Sequence, residues 1–435
     1  MSQTNNISTP WHITKLFLMM FIPLVLVVAG SSASYYFSAD KANINLLRKQ
    51  AEFRIELQTD AFSREFQSII SDLIVLSAHQ QLSLIVDGSG MADHSALAEE
   101  FLIFCKNKKM YDQVRFLDAT GMEVVRVNYN NGQSFIVAGN KLQNKSGRYY
   151  FEDTFRLKQG EVFVSPFDLN IEGEKIEQPL KPTIRFGVPV FNSRGEKQGI
   201  IVLNYFGKIL IEQIEKVAYE SSAVGFGMLL NSDGYFFKGM RNEDEWGFML
   251  PGRKDKTFSH IFPLQWQKIR HDASGQFLDE QGLFTYTTIF PLTEGLKSSS
   301  GSPEAFGSSV KSLRADQYSW KIVSFTPEQA IHDMTIQLRN VLTIANVVFV
   351  VLAGIGLWLL VKAIVRRQAV EAEWNTWPTL TCLRSCQTGP CFTTGWRCPW
   401  PPQNERKNNL PSFLSIWMAS RVSMTRWATK PGIRC

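Results

Sequence analysis

Residues 114–127 read VRFLDATGMEVVRV, and residues 227–238 read GMLLNSDGYFFK. FLDATGMEVV and LLNSDGYFFK align without a gap: an apolar pair, a polar residue, two turn residues, a glycine, and a second apolar strand. Each stretch predicts a β-hairpin, with glycine (Gly121, Gly234) where the turn needs a positive φ. A hairpin that returns about 110 residues on points to one module present twice in tandem. Working outward, further strands are expected at residues 161–165, 183–191 and 199–204, with Asn192-Ser193-Arg194-Gly195 as another hairpin turn. The second copy is completed by strands at residues 284–290 and 318–325. The Gly/Ser-rich residues 297–309 between them read as a surface loop.

Helical patterns flank these strands. From residue 38 to residue 86, Ile44, Leu47, Ala51, Ile55, Phe62, Phe66, Ile69, Leu73 and Leu76 recur at three- and four-residue steps. This predicts a stalk helix ended by Asp87-Gly88-Ser89-Gly90, with a shorter helix at residues 92–105 and another at 207–218. Two uncharged apolar runs, residues 16–33 and 341–361, have the length a membrane span needs, with Asn346 the main polar exception in the second. Lys362, Arg366 and Arg367 follow the second run at once, and Lys15 sits beside the first. The positive-inside rule then places both outer ends in the cytoplasm and everything between the spans outside.

A chain of 435 residues with 44% hydrophobic content has room for more than one domain. The net charge of +6 is small, and no basic stripe is interleaved with aromatics, so no nucleic-acid partner is expected. His12, His79, His94, His260, His271 and His332 form no pair at a metal-ligand spacing, so no metal is expected. Up to residue 373 there is one cysteine, Cys105, so the body of the chain has no disulfide to draw on.

The long helix, VRFLDATGMEVVRVNY, KSGRYYFEDTF, PTIRFGVPVFNSRGEKQGIIVLNYFG and the second hairpin stand in that order between two spans. The arrangement resembles the double Cache (tandem PAS-like) periplasmic sensor of bacterial signalling receptors. The resemblance implies an α+β fold: two PAS-like modules on a long N-terminal helix, flanked by two transmembrane helices. The expected layout is a cytoplasmic N-terminus (1–12), a first span (13–36), the periplasmic sensor (37–338, modules about 106–206 and 222–326), a second span (339–363) and a cytoplasmic linker (364–373). It also implies a bacterial inner-membrane receptor that acts as a homodimer on a small periplasmic ligand.

Period-two reading of the first module leaves Arg126 and Asn128 on one side of their strand, and Thr183 and Arg185 on one side of theirs. On the concave face of a PAS-like sheet, Arg126 and Arg185 would suit a carboxylate or another anion, which guanidinium groups bind in bidentate fashion. By analogy with the family, Tyr149, Tyr150 and Asp168 could supply the wall and further hydrogen bonds.

From residue 374 the composition changes abruptly. Five of the six cysteines (Cys382, Cys386, Cys391, Cys398 and Cys435) fall there, among Trp, Pro, Thr and Arg, with no helical or strand period. Trp417-Met418-Ala419 is encoded TGG-ATG-GCN, which reads Asp-Gly when started two bases later. With permissible codons that frame gives PNRALFYDRLE, IDLDGFK and GHEAGD, in this order. These strings resemble the opening of the GGDEF diguanylate cyclase domain, whose pattern runs D-x-L-T-G-L-P-N-R, F-x-D-x-D-x-F-K and G-H-x-x-G-D. Residues 374–435 are therefore expected to be an unfolded, out-of-frame remnant of that domain. No catalytic residue and no cofactor are expected in the chain as written; Mg and GTP would belong to the missing cyclase. If the frame is restored, the resemblance implies a membrane-bound enzyme making cyclic di-GMP from two GTP.

Overall fold

The computed structural model describes residues 10–172, 174–220, 225–293, 295–302 and 306–375. The tail expected to be unfolded lies outside the described residues, except for residues 374 and 375, which close a helix. The chain divides into two compact units, residues 17–358 and residues 1–16 with 359–435. Within the smaller unit, residues 10–16 and 359–375 are helical. The larger unit carries every strand among the described residues.

Helix α1 (Pro10–Ser77) is continuous through the first apolar run and the amphipathic stalk. Its stripe of Leu47, Ala51, Ile55, Phe62, Phe66, Ile69, Leu73 and Leu76 is buried, as the three- and four-residue spacing demands. The spacing predicts a stalk unbroken to residue 86, but the helix stops at Ser77. His79 adopts an extended backbone (φ −69, ψ 140), and α2 (Gln80–Val86) resumes behind it. Helix α3 (His94–Lys108) starts where the Asp93 carboxylate accepts from the Ser95 and Ala96 amides, a side-chain cap.

The first module follows, with strands β1 (Tyr111–Asp118), β2 (Glu123–Asn130) and β3 (Gln133–Ile136). Helix α4 (Tyr149–Phe155), β4 (Val162–Val164), β5 (Asp168–Leu169) and the short ribbon of β6 (Ile171–Glu172) and β7 (Lys175–Ile176) come next. Two long strands, β8 (Pro182–Phe191) and β9 (Lys197–Phe206), complete its sheet. Helix α5 (Lys208–Glu220) leads to the second module: β10 (Phe226–Asn231), β11 (Phe236–Lys238), α6 (Phe258–Ile261), α7 (Pro263–Ile269), β12 (Ser274–Asp279) and β13 (Gly282–Ile289). After β14 (Leu296–Ser299) and β15 (Ser312–Leu313), β16 (Trp320–Pro327) runs without a break into α8 (Glu328–Asn375).

The two copies share one topology. The first sheet contains the order β4-β8-β9-β1-β2, and the second is β12-β13-β16-β10-β11. Counting five principal strands within each copy, both are 3-4-5-1-2, the arrangement of tandem PAS-like modules. The repeat extends to atomic detail in the turns. Asp118 Oδ1 accepts from the Thr120 and Met122 amides, and Asn231 Oδ1 accepts from Asp233 and Tyr235 in the same way. The β8–β9 turn repeats the device, with Asn192 Oδ1 accepting from Arg194 and Glu196. In all three, the glycine three positions after the accepting residue takes φ of +81 to +83 (Gly121, Gly195 and Gly234), and a bulge sits beside the turn.

One face of the first sheet is apolar. Val114, Phe116, Val127, Phe186, Leu203 and Tyr205 pack with Phe66 and Ile69 of α1 and with Phe101 of α3 in a single core. Of the expected surface loop at residues 297–309, residues 306–309 are irregular and mostly exposed, but residues 297–299 belong to a strand. Strand β14 pairs in parallel with β4 (Leu296↔Val162, Ser298↔Val164), so a hairpin of the second module extends the first module's sheet. Ser298 and Ser299 are buried there, and Ser298 Oγ donates to the Val164 carbonyl at 2.6 Å. Exposed glycines and serines suggest a loop, but small polar side chains also fit a buried edge where each hydroxyl finds a carbonyl.

Two helices among the described residues, α1 and α8, are long and apolar enough to cross a membrane. Asn346, the polar exception in the second apolar run, donates from Nδ2 to Ser32 Oγ at 2.7 Å. Phe17 meets Trp358 edge to face at 5.4 Å, and a Cβ at Gly354 would come within 3.2 Å of the Phe21 ring.

Candidate functional site

The second face of the first sheet is polar, and the pleat dictates which residues reach it. Arg115 on β1 lies opposite Arg126 on β2, and Asn204 on β9 lies opposite both Gln113 on β1 and Arg185 on β8. Helix α4 covers this face and brings Arg148, its N-cap residue, with Tyr149 and Tyr150. All of these side chains are buried.

Burying so many charges is tolerable only if each is paired. Arg185 Nη1 meets Asp168 Oδ1 at 2.8 Å, and its Nη2 donates to Asn170 Oδ1 at 2.9 Å. Tyr149 donates its hydroxyl to Asp168 Oδ2 at 3.1 Å. Arg115 donates to Tyr150 Oη at 3.1 Å and to Asn204 Oδ1 at 2.7 Å, with Glu123 at 3.5 Å. Arg126 lies 3.6 Å from Glu123 and 3.2 Å from Glu172. Three guanidinium groups stack on the single ring of Tyr150: Arg115 at 5.3 Å, Arg185 at 5.4 Å and Arg148 at 5.8 Å from its centroid.

This crowding has an electrostatic signature. Burial alone would raise the Tyr150 phenol, but Arg115, Lys145, Arg148 and Arg185 together outweigh it and hold the group below its ordinary value. Burial works against the Arg185 charge, while Asp168, Tyr149 and Tyr150 more than offset it, so the guanidinium is held charged. Burial holds Arg148 below its usual value, with Arg115 and Arg185 adding to the effect and the two tyrosines opposing it. Its Nε is buried without a hydrogen-bond acceptor among the described residues.

Arg148, Tyr149, Asp168 and Arg185 line one side of a cavity of about 890 Å³. The ribbon residues Ile171 and Ile176 form part of its floor. The opposite wall comes from the second module: Phe248 and Met249, with Ser300, Gly301, Phe306 and Lys311 from the tip of the β14–β15 hairpin. That tip is tied to α4, with Ser308 Oγ donating to Glu152 at 2.7 Å, Ser309 Oγ donating to Asp153 at 3.0 Å and Phe306 stacked on Arg148 at 5.2 Å. The arrangement can hold a small molecule of several hundred cubic ångströms and present cations to one end of it.

The structure brings Tyr149, Asp168 and Arg185 together on the cavity wall. Tyr150 and Arg126 lie outside that lining; Tyr150 stacks behind Arg148 and Arg185, and Arg126 is held by Glu123 and Glu172. Arg148 is a cavity residue that the sequence reading misses, and Arg115, behind it against Tyr150, is a further buried arginine of the same face. The alternation that exposes Arg126 would show Arg115 in the partner strand, and Arg148 directly precedes the tyrosine pair. The second module's contribution has no local signal.

The family model for the bacterial histidine kinase sensor domain matches residues 48–296, more than half of the chain. No curated protein matches. Among solved structures, the domain of a sensory box/GGDEF family protein from Vibrio parahaemolyticus aligns with a TM-score of 0.52 and 20% identity. The alignment covers 66% of this chain and 99% of that one. The extracellular domain of the histidine kinase vpHK1S-Z8 aligns with a TM-score of 0.53 and 20% identity, over 67% of this chain and 98% of that one. At this identity the likeness concerns the fold, which these structures share with the tandem modules described above. With its family model spanning the stalk of α1, the whole first module and the second up to the start of β14, the chain belongs to the bacterial histidine kinase sensor-domain family and carries the sensor domain of a bacterial signalling receptor.

Proposed function

We propose that the chain is a two-pass inner-membrane receptor that detects a small anionic molecule in the periplasm through its first module. The observation that carries this reading is the wall of Arg148 and Arg185 on an 890 Å³ cavity. A carboxylate, phosphate or sulfonate in the cavity would sit in the positive potential that depresses Tyr150. The receptor is read as a homodimer: Leu46, Phe53 and Ile74, exposed along α1, stand at multiples of seven residues, the spacing of a helix–helix seam.

The test is thermal melting of the full-length chain in lipid nanodiscs against a panel of small carboxylates, phosphates and sulfonates, with neutral and cationic analogues. A ligand at a hundredfold excess over its Kd should stabilise the fold by about 2.7 kcal/mol. Arg148→Ala should abolish that shift. Stabilisation by neutral or cationic compounds only, unchanged in Arg148→Ala, would overturn the anion reading.

The three out-of-frame strings support a second reading, in which the cellular product is a diguanylate cyclase. Resequencing the gene across the codons for residues 363–374 decides this. A continuous frame into the GGDEF pattern establishes the enzyme, and a gene that encodes the present tail removes it.

A further inference from the structure

A second cavity, of about 340 Å³, adjoins the first. The two share Pro166, Phe248, Ser300 and Lys311 in their linings, so these side chains stand between them. The chemistry of the second cavity differs from that of the first. Its walls include Phe167, Phe237, Tyr318 and Trp320, four rings that are almost wholly buried and in mutual contact. Phe167 lies 4.7 Å from Phe237 and 5.6 Å from Trp320, and Tyr318 lies 5.6 Å from Trp320, centroid to centroid. Tyr318 has its hydroxyl committed to the Ser165 carbonyl at 2.8 Å, so it offers the cavity a ring and no free donor. Asn231, Ser232, Asp233, Lys311 and Gln317 give the cavity a polar side.

Size points the same way. A cavity of 890 Å³ is far larger than a two- or three-carbon anion requires, and such an ion seated on Arg148 would leave most of it empty. A compartment with aromatic rings in its walls, beside a cationic one, is the complement of a molecule with a charged head and an apolar ring.

We propose that the two cavities form one extended site for an aryl-bearing carboxylate, with its anionic head at Arg148 and Arg185 and its ring against Phe167, Phe237 and Trp320. The proposal rests on the anion reading above and extends it to the far end of the ligand. Phe248 and Pro166 then act as a collar around the linker between head and ring.

The test uses isothermal titration calorimetry on the full-length chain in nanodiscs, with empty nanodiscs as the partition control. The probes are acetate and the straight series from phenylacetate through phenylbutyrate to phenylhexanoate. Each added methylene that draws the ring into the second cavity should tighten binding by about two- to fourfold, the range of up to 0.8 kcal/mol per buried methylene, until the ring is seated. Ser232→Trp, at an exposed turn on the rim, should flatten that climb while phenylacetate keeps its affinity. Ser319→Phe plugs the cavity from another wall and should do the same. A parent whose affinity is level along the series, with phenylacetate still binding in an Arg148-dependent way, sinks the extended site and leaves the anion reading standing. A climb untouched by both plugs also sinks it. Failure of every probe, acetate included, sinks the aryl-carboxylate site and leaves the anion reading to the phosphates and sulfonates of the melting panel.

Discussion

Arg148 and Arg126 bear the same charge on the same polar face, and their surroundings assign them different tasks. Arg126 is held by carboxylates on both sides, whereas Arg148 keeps an N–H with nothing among the described residues to accept it. Arg126→Ala would leave the buried Glu123 with one cation, Arg115 at 3.5 Å, beside the Gln143 amide that donates to it. Breaking one partner from a buried ionic group costs about 3 kcal/mol. A clear drop in the melting temperature of the ligand-free protein is therefore expected, while Arg148→Ala should lower binding far more than stability. Cys105 makes a second residue-scale prediction. Burial pushes its thiol up to about 11, and its Sγ donates to the Tyr111 carbonyl at 3.5 Å. The folded value lies above the ordinary thiol range. The stability the neutral thiol contributes is thus fully present below the unfolded value and is lost as pH rises through about 11. Iodoacetamide at pH 8 should leave the Cys105 peptide unlabelled by mass spectrometry until denaturant is added; rapid native labelling would contradict the burial.

The three turns built on Asp118, Asn192 and Asn231 show what an element asks of its sequence. Each needs a side-chain acceptor at its first position and a glycine in the left-handed region. Those two demands make the hairpins readable from residue order alone. They also separate two substitutions that look alike. At Gly195 nothing lies within 4 Å of where a Cβ would stand, so Gly195→Ala should cost only the left-handed penalty of about 1 kcal/mol. At Gly121 the same Cβ would come 2.6 Å from the Ser146 amide nitrogen, so Gly121→Ala should cost at least twice as much. Urea unfolding of the two variants checks the order, and equal midpoints would contradict it. The stalk is legible through its period, apart from the break at His79, which no proline or glycine announces. Strand β14 is not legible, because its pairing partner β4 is far away in sequence and its composition is that of a loop.

At the scale of the molecule, the division into two modules between two apolar helices can be read from one sequence. The closing of the first module's cavity by the second cannot, since no local pattern records which distant segment lies across a sheet. The same limit applies to Asn346, a blemish in an apolar run until Ser32 is seen beside it. Asn346→Leu should weaken the pairing of the two spans by about 1 kcal/mol, the usual worth of such a bond in a bilayer. Single-molecule forced unfolding in bicelles would measure it, and an unchanged force would speak against the contact. The proposed two-pass arrangement makes its own forecast. Alkaline phosphatase fused after residue 338 should be active, and fused after residue 370 it should be silent.

The parallel pairing of β14 with β4 also governs the order in which the chain can fold. The serine that bonds the Val164 carbonyl is synthesised 134 residues after it. During that interval β4 presents a bare edge, the kind of surface that recruits other strands and aggregates. The amino-terminal module therefore cannot be finished as an independent folding unit on the ribosome, and its last step waits for the carboxyl-terminal one. Nascent chains arrested before residue 296 should depend on holdase chaperones more heavily than chains arrested beyond residue 313. Evolution of the hairpin is constrained accordingly, because a change made in one module is first felt as a folding delay in the other.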